Sequence, residues 1–179
     1  MKKKYICPYK NNKVRITVFC FAFFLAGLPL EMISFADSSY HSTYLNGSWQ
    51  KDEQGWWFSN KHNPPYPTLQ WGLYRGDYYY FNANGYMVTG WQMIDDHWYY
   101  FNPEIGSREG AMVTGWIYDP DYNGWFYTTQ SGVLATGWYK LDGYWYYFNP
   151  DPDGTMGIMI TDQVIDDVYI DSRGHMNED

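Results

Sequence analysis

The chain of 179 residues carries 12 basic and 20 acidic side chains, a formal net charge of −8, and 22% of its residues are aromatic. Such an acidic balance disfavours nucleic acid and anionic membrane lipid, which are held through basic patches, and suits a cationic ligand. Both cysteines, Cys7 and Cys20, fall near the start, so the remainder has neither a disulfide framework nor a thiol for chemistry.

Residues 1–36 read as a removable export signal. Lys2, Lys3, Lys4, Lys10, Lys13 and Arg15 form a basic start, an apolar run follows from Ile16 to Leu30, and Ser34-Phe35-Ala36 supplies the small residues of a cleavage site. That run is 15 residues long, short of the ~20 that span a bilayer, so export is expected without membrane insertion after cleavage. Six of the 12 basic residues and one of the 20 acids, Glu31, lie in this segment, which leaves 6 basic and 19 acidic groups and a net charge of −13.

Residues 37–46 form a short polar leader. From there to residue 179 the chain repeats itself. Aligned on a Gly-Trp or equivalent position, units begin at Trp49, Trp71, Trp91, Trp116 and Trp138, spaced by 22, 20, 25 and 22 residues. A sixth begins near Asp162, where Thr161-Asp162-Gln163 replaces Thr-Gly-Trp, as expected of a unit that caps a stack. About six units fill residues 47–179 and leave little room for a catalytic domain.

Each unit reads as strand, turn, strand, turn. Trp91 to Ile94 is a short extended segment, Asp95-Asp96 a tight turn, and His97 to Asn102 a strand whose aromatic residues suit a pleated, half-buried surface. Asp142-Gly143 and Asn123-Gly124 read as two-residue hairpin turns. Asn102-Pro103 and Asn149-Pro150 end aromatic strands, because proline cannot continue a ladder. Alternation sends Trp98 and Tyr100 to one side and Tyr99 and Phe101 to the other, the latter expected to pack inward. An isolated hairpin is marginally stable, so each must bury a face against its neighbours. The expected fold is all-β, a β-solenoid of stacked β-hairpins, with an inserted proline-rich loop at residues 61–67.

The pattern Gly-Trp, turn, Trp-Tyr-Tyr-Phe-Asn, then Gly-x-Met-x-Thr-Gly resembles the choline-binding (cell wall-binding) repeat of Gram-positive surface proteins, over about Gly47 to Met176. The resemblance implies a left-handed superhelix of hairpins, with choline held between consecutive repeats by three aromatic rings and often a methionine. Carried over, one cage uses Trp71 and Tyr78 with Tyr100, a second Trp91 and Trp98 with Tyr127, and a third Trp116 and Trp125 with Tyr147. The middle tyrosine of each strand is the alternative third wall. Met87 and Met112 line two of these sites and Leu134 stands in at a third. Trp49 and Trp56 with Tyr80 form an earlier cage. Trp138 and Trp145 face the last unit, where Ile170 is not aromatic and the cage is incomplete.

The chemistry agrees with that implication. A quaternary ammonium is weakly hydrated and donates no hydrogen bond, so ring faces suit it at about 0.5–2 kcal/mol per ring. Three rings give roughly 2–6 kcal/mol, which is millimolar-range binding. A polymer carrying many choline groups then gains about 10²–10⁴-fold from effective concentration.

The implied partner is the choline of teichoic and lipoteichoic acids, and the implied location is the cell wall, held non-covalently. The alternatives are a glucan- or polysaccharide-binding repeat protein, since sugars also stack on rings, and an adhesin that uses the repeats as an anchor. No catalytic constellation, cofactor motif or metal set is evident. His41, His62, His97 and His175 are scattered, and Asp119-x-Asp121-x-Asn123-Gly124 reads as a turn and not a calcium loop, because its twelfth position is Gln130.

Overall fold

The computed structural model describes residues 42–61 and 65–176. The expected export signal, the start of the leader, part of the proline loop and the last three residues lie outside the described residues. Those described are all-β, with no helix.

Six antiparallel hairpins follow one another: β2 (Gly47–Lys51) with β3 (Trp56–Asn60), β4 (Gln70–Tyr74) with β5 (Asp77–Phe81), and β6 (Gly90–Ile94) with β7 (His97–Phe101). Then come β8 (Gly115–Asp119) with β9 (Gly124–Thr128), β10 (Gly137–Leu141) with β11 (Tyr144–Phe148), and β12 (Gln163–Ile165) with β13 (Val168–Ile170). Five of the hairpins are separate two-stranded sheets and the second carries one added strand, so no continuous ladder runs through the stack.

Turn chemistry follows the sequence in most units. Asp95 and Asp96 both have positive φ (48° and 62°), as do Asp142 (50°) and Gly143 (91°); this is the twist-matched two-residue turn that hairpins favour. Asn123-Gly124 departs from expectation. Gly124 already belongs to β9, and the connection is the four residues Pro120 to Asn123. The Asp119 carboxylate takes over the turn by accepting from Asp121 N at 2.9 Å.

After their second strands the second to sixth units double back through return turns. Asn102 Oδ1 accepts from Glu104 N, and Asn149 Oδ1 from Asp151 N. Asn82, with no proline after it, does the same for Asn84 N and Tyr86 N. Asparagine side-chain capping is therefore common to these turns, with or without the proline.

The return segment then stitches neighbours together. Met87 N donates to Trp56 O, Met112 N to Tyr78 O, Leu134 N to Trp98 O, Met159 N to Trp125 O and Met176 N to Trp145 O, all within 2.7–2.9 Å. Each bond crosses from one hairpin to the preceding one. This registers the stack at a fixed offset and satisfies backbone groups at hairpin edges. The glycine of Gly-x-Met is required here: a Cβ on Gly132 would run into Met112 Sδ, and Gly132 has φ of +79°. The methionine of one unit thus lies on the glycine of the next.

Phe58, Phe81, Phe101 and Phe148 are fully buried along the interior. The leader contributes as well. Thr43–Tyr44 (β1) pairs in parallel with Gly72–Leu73, and Leu45, 5% exposed, joins Phe58, Tyr79, Phe81 and Ala111 in one cluster. Its last residues are structural and cover the first hairpins.

Candidate aromatic cages between consecutive hairpins

Five interfaces separate the six hairpins. At each of the first four, the first tryptophan of one hairpin meets a ring from the middle of the next hairpin's second strand. Ring centroids are 5.0 Å apart for Trp49–Tyr79, 4.9 Å for Trp71–Tyr99, 4.9 Å for Trp91–Phe126 and 5.0 Å for Trp116–Tyr146. The residues expected as the third wall behave otherwise. Tyr80 packs on Trp71 (5.4 Å), Tyr100 on Trp91 (4.8 Å), Tyr127 on Trp116 (5.3 Å) and Tyr147 on Trp138 (5.0 Å), each within its own hairpin. The structure therefore brings the middle ring, Tyr79, Tyr99, Phe126 or Tyr146, to the neighbouring tryptophan. Register explains the change. Trp91 lies directly opposite Tyr100 in one sheet, so Tyr100 packs on Trp91 and, onward, against the Phe126 cluster.

At the first interface, Trp49 and Trp56 stand edge to face at 6.5 Å and 84°, and Tyr79 closes the corner. These rings and Met87 line a cavity of about 110 Å³, with Gly106, Ser107 and Glu109 of the third hairpin's return turn on the remaining side. Engineered apolar cavities of ~150 Å³ hold one small ring, so this space suits a single compact group. Glu109 Oε2 accepts from Trp56 Nε1 at 3.0 Å. Lys51 Nζ sits 4.9 Å from the Trp56 ring, outside the cavity lining. Trp56 thus already holds one cation by its face.

The fourth interface reproduces this geometry. Trp116 and Trp125 are 6.3 Å apart at 86°, and the two rings are 39% and 46% exposed. Tyr146 stands beside Trp116, and its hydroxyl lies 3.0 Å from His175 Nε2. Burial raises the pKa of Tyr146, as it does for Tyr79, Tyr100 and Tyr127, so these phenols stay neutral and hydrogen-bonding at ordinary pH.

The second and third interfaces differ. Trp71 is only 5% exposed and belongs to a buried cluster with Ile94, Tyr99, Phe101 and Met112, against which Tyr78 and Val133 pack. At the third, Phe126 replaces the middle tyrosine and is 3% exposed. Trp91 and Trp98 pack on the same cluster as Phe126, together with Ile158. Trp91 Nε1 donates to Asp119 Oδ2 at 2.9 Å. With its other oxygen in the turn, Asp119 is committed to structure.

At the fifth interface no aromatic third wall for Trp138 and Trp145 is found among the described residues. Ile170 pairs with Met176 as Phe148 pairs with Met159, so Val168 and not Ile170 occupies the place of the middle tyrosine. The methionine assignments also move. Met87 lies at the first interface, Met112 at the second and Leu134 at the third. Glu109 and the role of the return turn two hairpins on were missed from sequence. The long return turn, Pro103 to Gly110, was the visible signal for them.

The comparisons with known proteins agree with this architecture. Residues 71–108 match the choline-binding repeat, and residues 114–134 and 136–156 the putative cell wall binding repeat. The fold is similar to that of CbpF in complex with ipratropium, with 31% identity and a TM-score of 0.62 over 74% of this chain and 39% of that one. It is also similar to CbpJ from Streptococcus pneumoniae, at 26% identity and a TM-score of 0.53 over 74% and 48% of the two chains. A third match is the multimodular pneumococcal cell wall endolysin from phage Cp-1 complexed with choline. There the values are 29% identity and a TM-score of 0.50, over 80% and 40%. The matched region thus spans less than half of each of those proteins. No curated protein matches by sequence. With the repeat matches, the hairpin stack and the aromatic interfaces in agreement, the chain is a choline-binding repeat protein.

Proposed function

We propose that this is a non-catalytic, secreted cell-surface protein that attaches to choline residues of teichoic and lipoteichoic acids through aromatic cages between its hairpins. Two interfaces carry the attachment: Trp49, Trp56 and Tyr79 at the first, and Trp116, Trp125 and Tyr146 at the fourth. The observation that carries this reading is the near-identity of the two ring sets, 6.5 Å and 84° against 6.3 Å and 86° for the tryptophan pairs. At the first interface three rings line one small space, which suits a trimethylammonium group. The phage endolysin complexed with choline is a structural neighbour that supports it.

Residues 1–36 act as the export signal in this reading, residues 47–179 as the binding domain, and no cofactor or metal takes part. Each site is weak, and a wall polymer that engages both gains from effective concentration.

The test is retention of the purified chain on immobilised choline, with elution by free choline and not by dextran. Elution by dextran alone would assign it to polysaccharide instead. Release of soluble fragments from purified cell walls by the chain would overturn the non-catalytic reading.

A further inference from the structure

The two open cages share their rings but differ in charge, and the difference lies one residue before the glycine of the return turn two hairpins on. For the first cage that residue is Glu109, before Gly110; for the fourth it is Arg173, before Gly174. Glu109 reaches from the third hairpin across the second to the first. There one carboxylate oxygen accepts from Trp56 Nε1 and the group lines the cavity. The neighbouring Arg108 is drawn away by Asp77 at 2.6 Å, so its cation does not neutralise Glu109. Arg173, by contrast, is folded onto Asp171 at 2.7 Å within its own turn. Lys51 is the other nearby charge, and it lies against Trp56 outside the cavity lining.

We propose that Glu109 makes the first cage selective for a charged quaternary ammonium over an uncharged group of the same shape. This rests on the cage reading above and goes beyond it. The rings alone attract a cation through their quadrupoles. A carboxylate beside them adds a direct Coulomb attraction, strengthened by the partial exclusion of water. The hydrogen bond to Trp56 fixes the carboxylate in place, so little ordering is needed when ligand arrives.

The test uses the full chain with Trp125→Ala, which removes the fourth cage, and compares Glu109 with Glu109→Gln. The amide keeps an acceptor for Trp56 Nε1 and loses only the charge. Isothermal titration is run with choline and with 3,3-dimethylbutan-1-ol, its uncharged isostere. The expected result is a loss of about 3- to 10-fold in choline affinity on Glu109→Gln, no change for the isostere, and a weaker dependence of choline binding on sodium chloride. Equal loss for both ligands would make Glu109 a positioning residue for Trp56 and overturn the proposal, as would no loss for either. A parent Trp125→Ala chain that binds neither ligand would instead count against the first cage itself.

Discussion

The second and fourth interfaces are built from similar motifs and have opposite fates. Both place a first tryptophan within 5.0 Å of the next hairpin's middle tyrosine. Trp71 is nonetheless 5% exposed and part of a core cluster, while Trp116 is 39% exposed beside an open Trp125. What differs is what arrives from elsewhere. Val133, from the fourth hairpin's return turn, packs on the Trp71 cluster. At the fourth interface the corresponding residue is His175, which stacks on Tyr144 at 4.2 Å and meets Tyr146 edge to face at 5.2 Å, while Trp116 and Trp125 stay 39% and 46% exposed. A ring motif therefore becomes a site only where later residues leave its face open. The same motif becomes core where they do not.

The largest effect should come from removing the closed ring. Trp71→Ala is expected to cost about 3–5 kcal/mol in chemical denaturation, as a fully buried ring does. Trp125→Ala should stay within about 1 kcal/mol, as surface changes do. Equal losses would break the contrast between core and site.

Next in size is the glycine that lets hairpins approach. Gly132→Ala combines a positive-φ penalty with a clash against Met112, and is expected to cost about 2–4 kcal/mol. Gly115→Ala has the same backbone sign but open space around it, so about 1–2 kcal/mol is expected. Thermal unfolding of the pair separates contact from strain.

A smaller effect is expected in binding. Trp125→Ala should remove one step of a choline titration followed by tryptophan fluorescence, with a loss of about 0.5–2 kcal/mol at the fourth cage and none at the first. Trp91→Ala should leave choline binding unchanged. Loss on Trp91→Ala would mean that the third interface is also open.

The smallest effect concerns the cap beside the fourth cage. Asp171 accepts from His175 N and from Arg173, and these bonds hold its pKa down from 3.8 to about 2. A lowered folded value means that its contribution is complete above about pH 4 and is lost as the pH falls toward 2. The His175 amide resonance should therefore titrate near pH 2, while amides around Trp49 should not follow it. A midpoint near 4 would show the turn to be loose.

Much of the fold was legible in the chain. The recurring Gly-Trp and Trp-Tyr-Tyr-Phe mark strand pairs, and Asp-Asp and Asp-Gly mark turns, because these depend on local backbone preference. The Asn123-Gly124 turn misled, since Asp119 and Pro120 lengthen that loop to four residues. The cages were only half legible. Two tryptophans per unit follow from the motif, but the third wall depends on which side of the next strand faces back. Cross-strand pairing sets Tyr100 opposite Trp91 and Tyr127 opposite Trp116, and both rings pack onward against the following hairpin. Nothing local marks Glu109 as a neighbour of Trp56, since 53 residues separate them.

The sequence by itself determined the number of hairpins and the rings each one carries, because strand alternation and most turn dihedrals are set within a few residues. Tertiary structure decided which ring faces remain open and which carboxylate stands beside them. That depends on side-chain volumes brought together from three successive hairpins: Val133 closes on the Trp71 cluster, while Glu109 reaches Trp56 and leaves a cavity beneath it. Such packing is a property of the assembled stack, since no single repeat contains all of its parts.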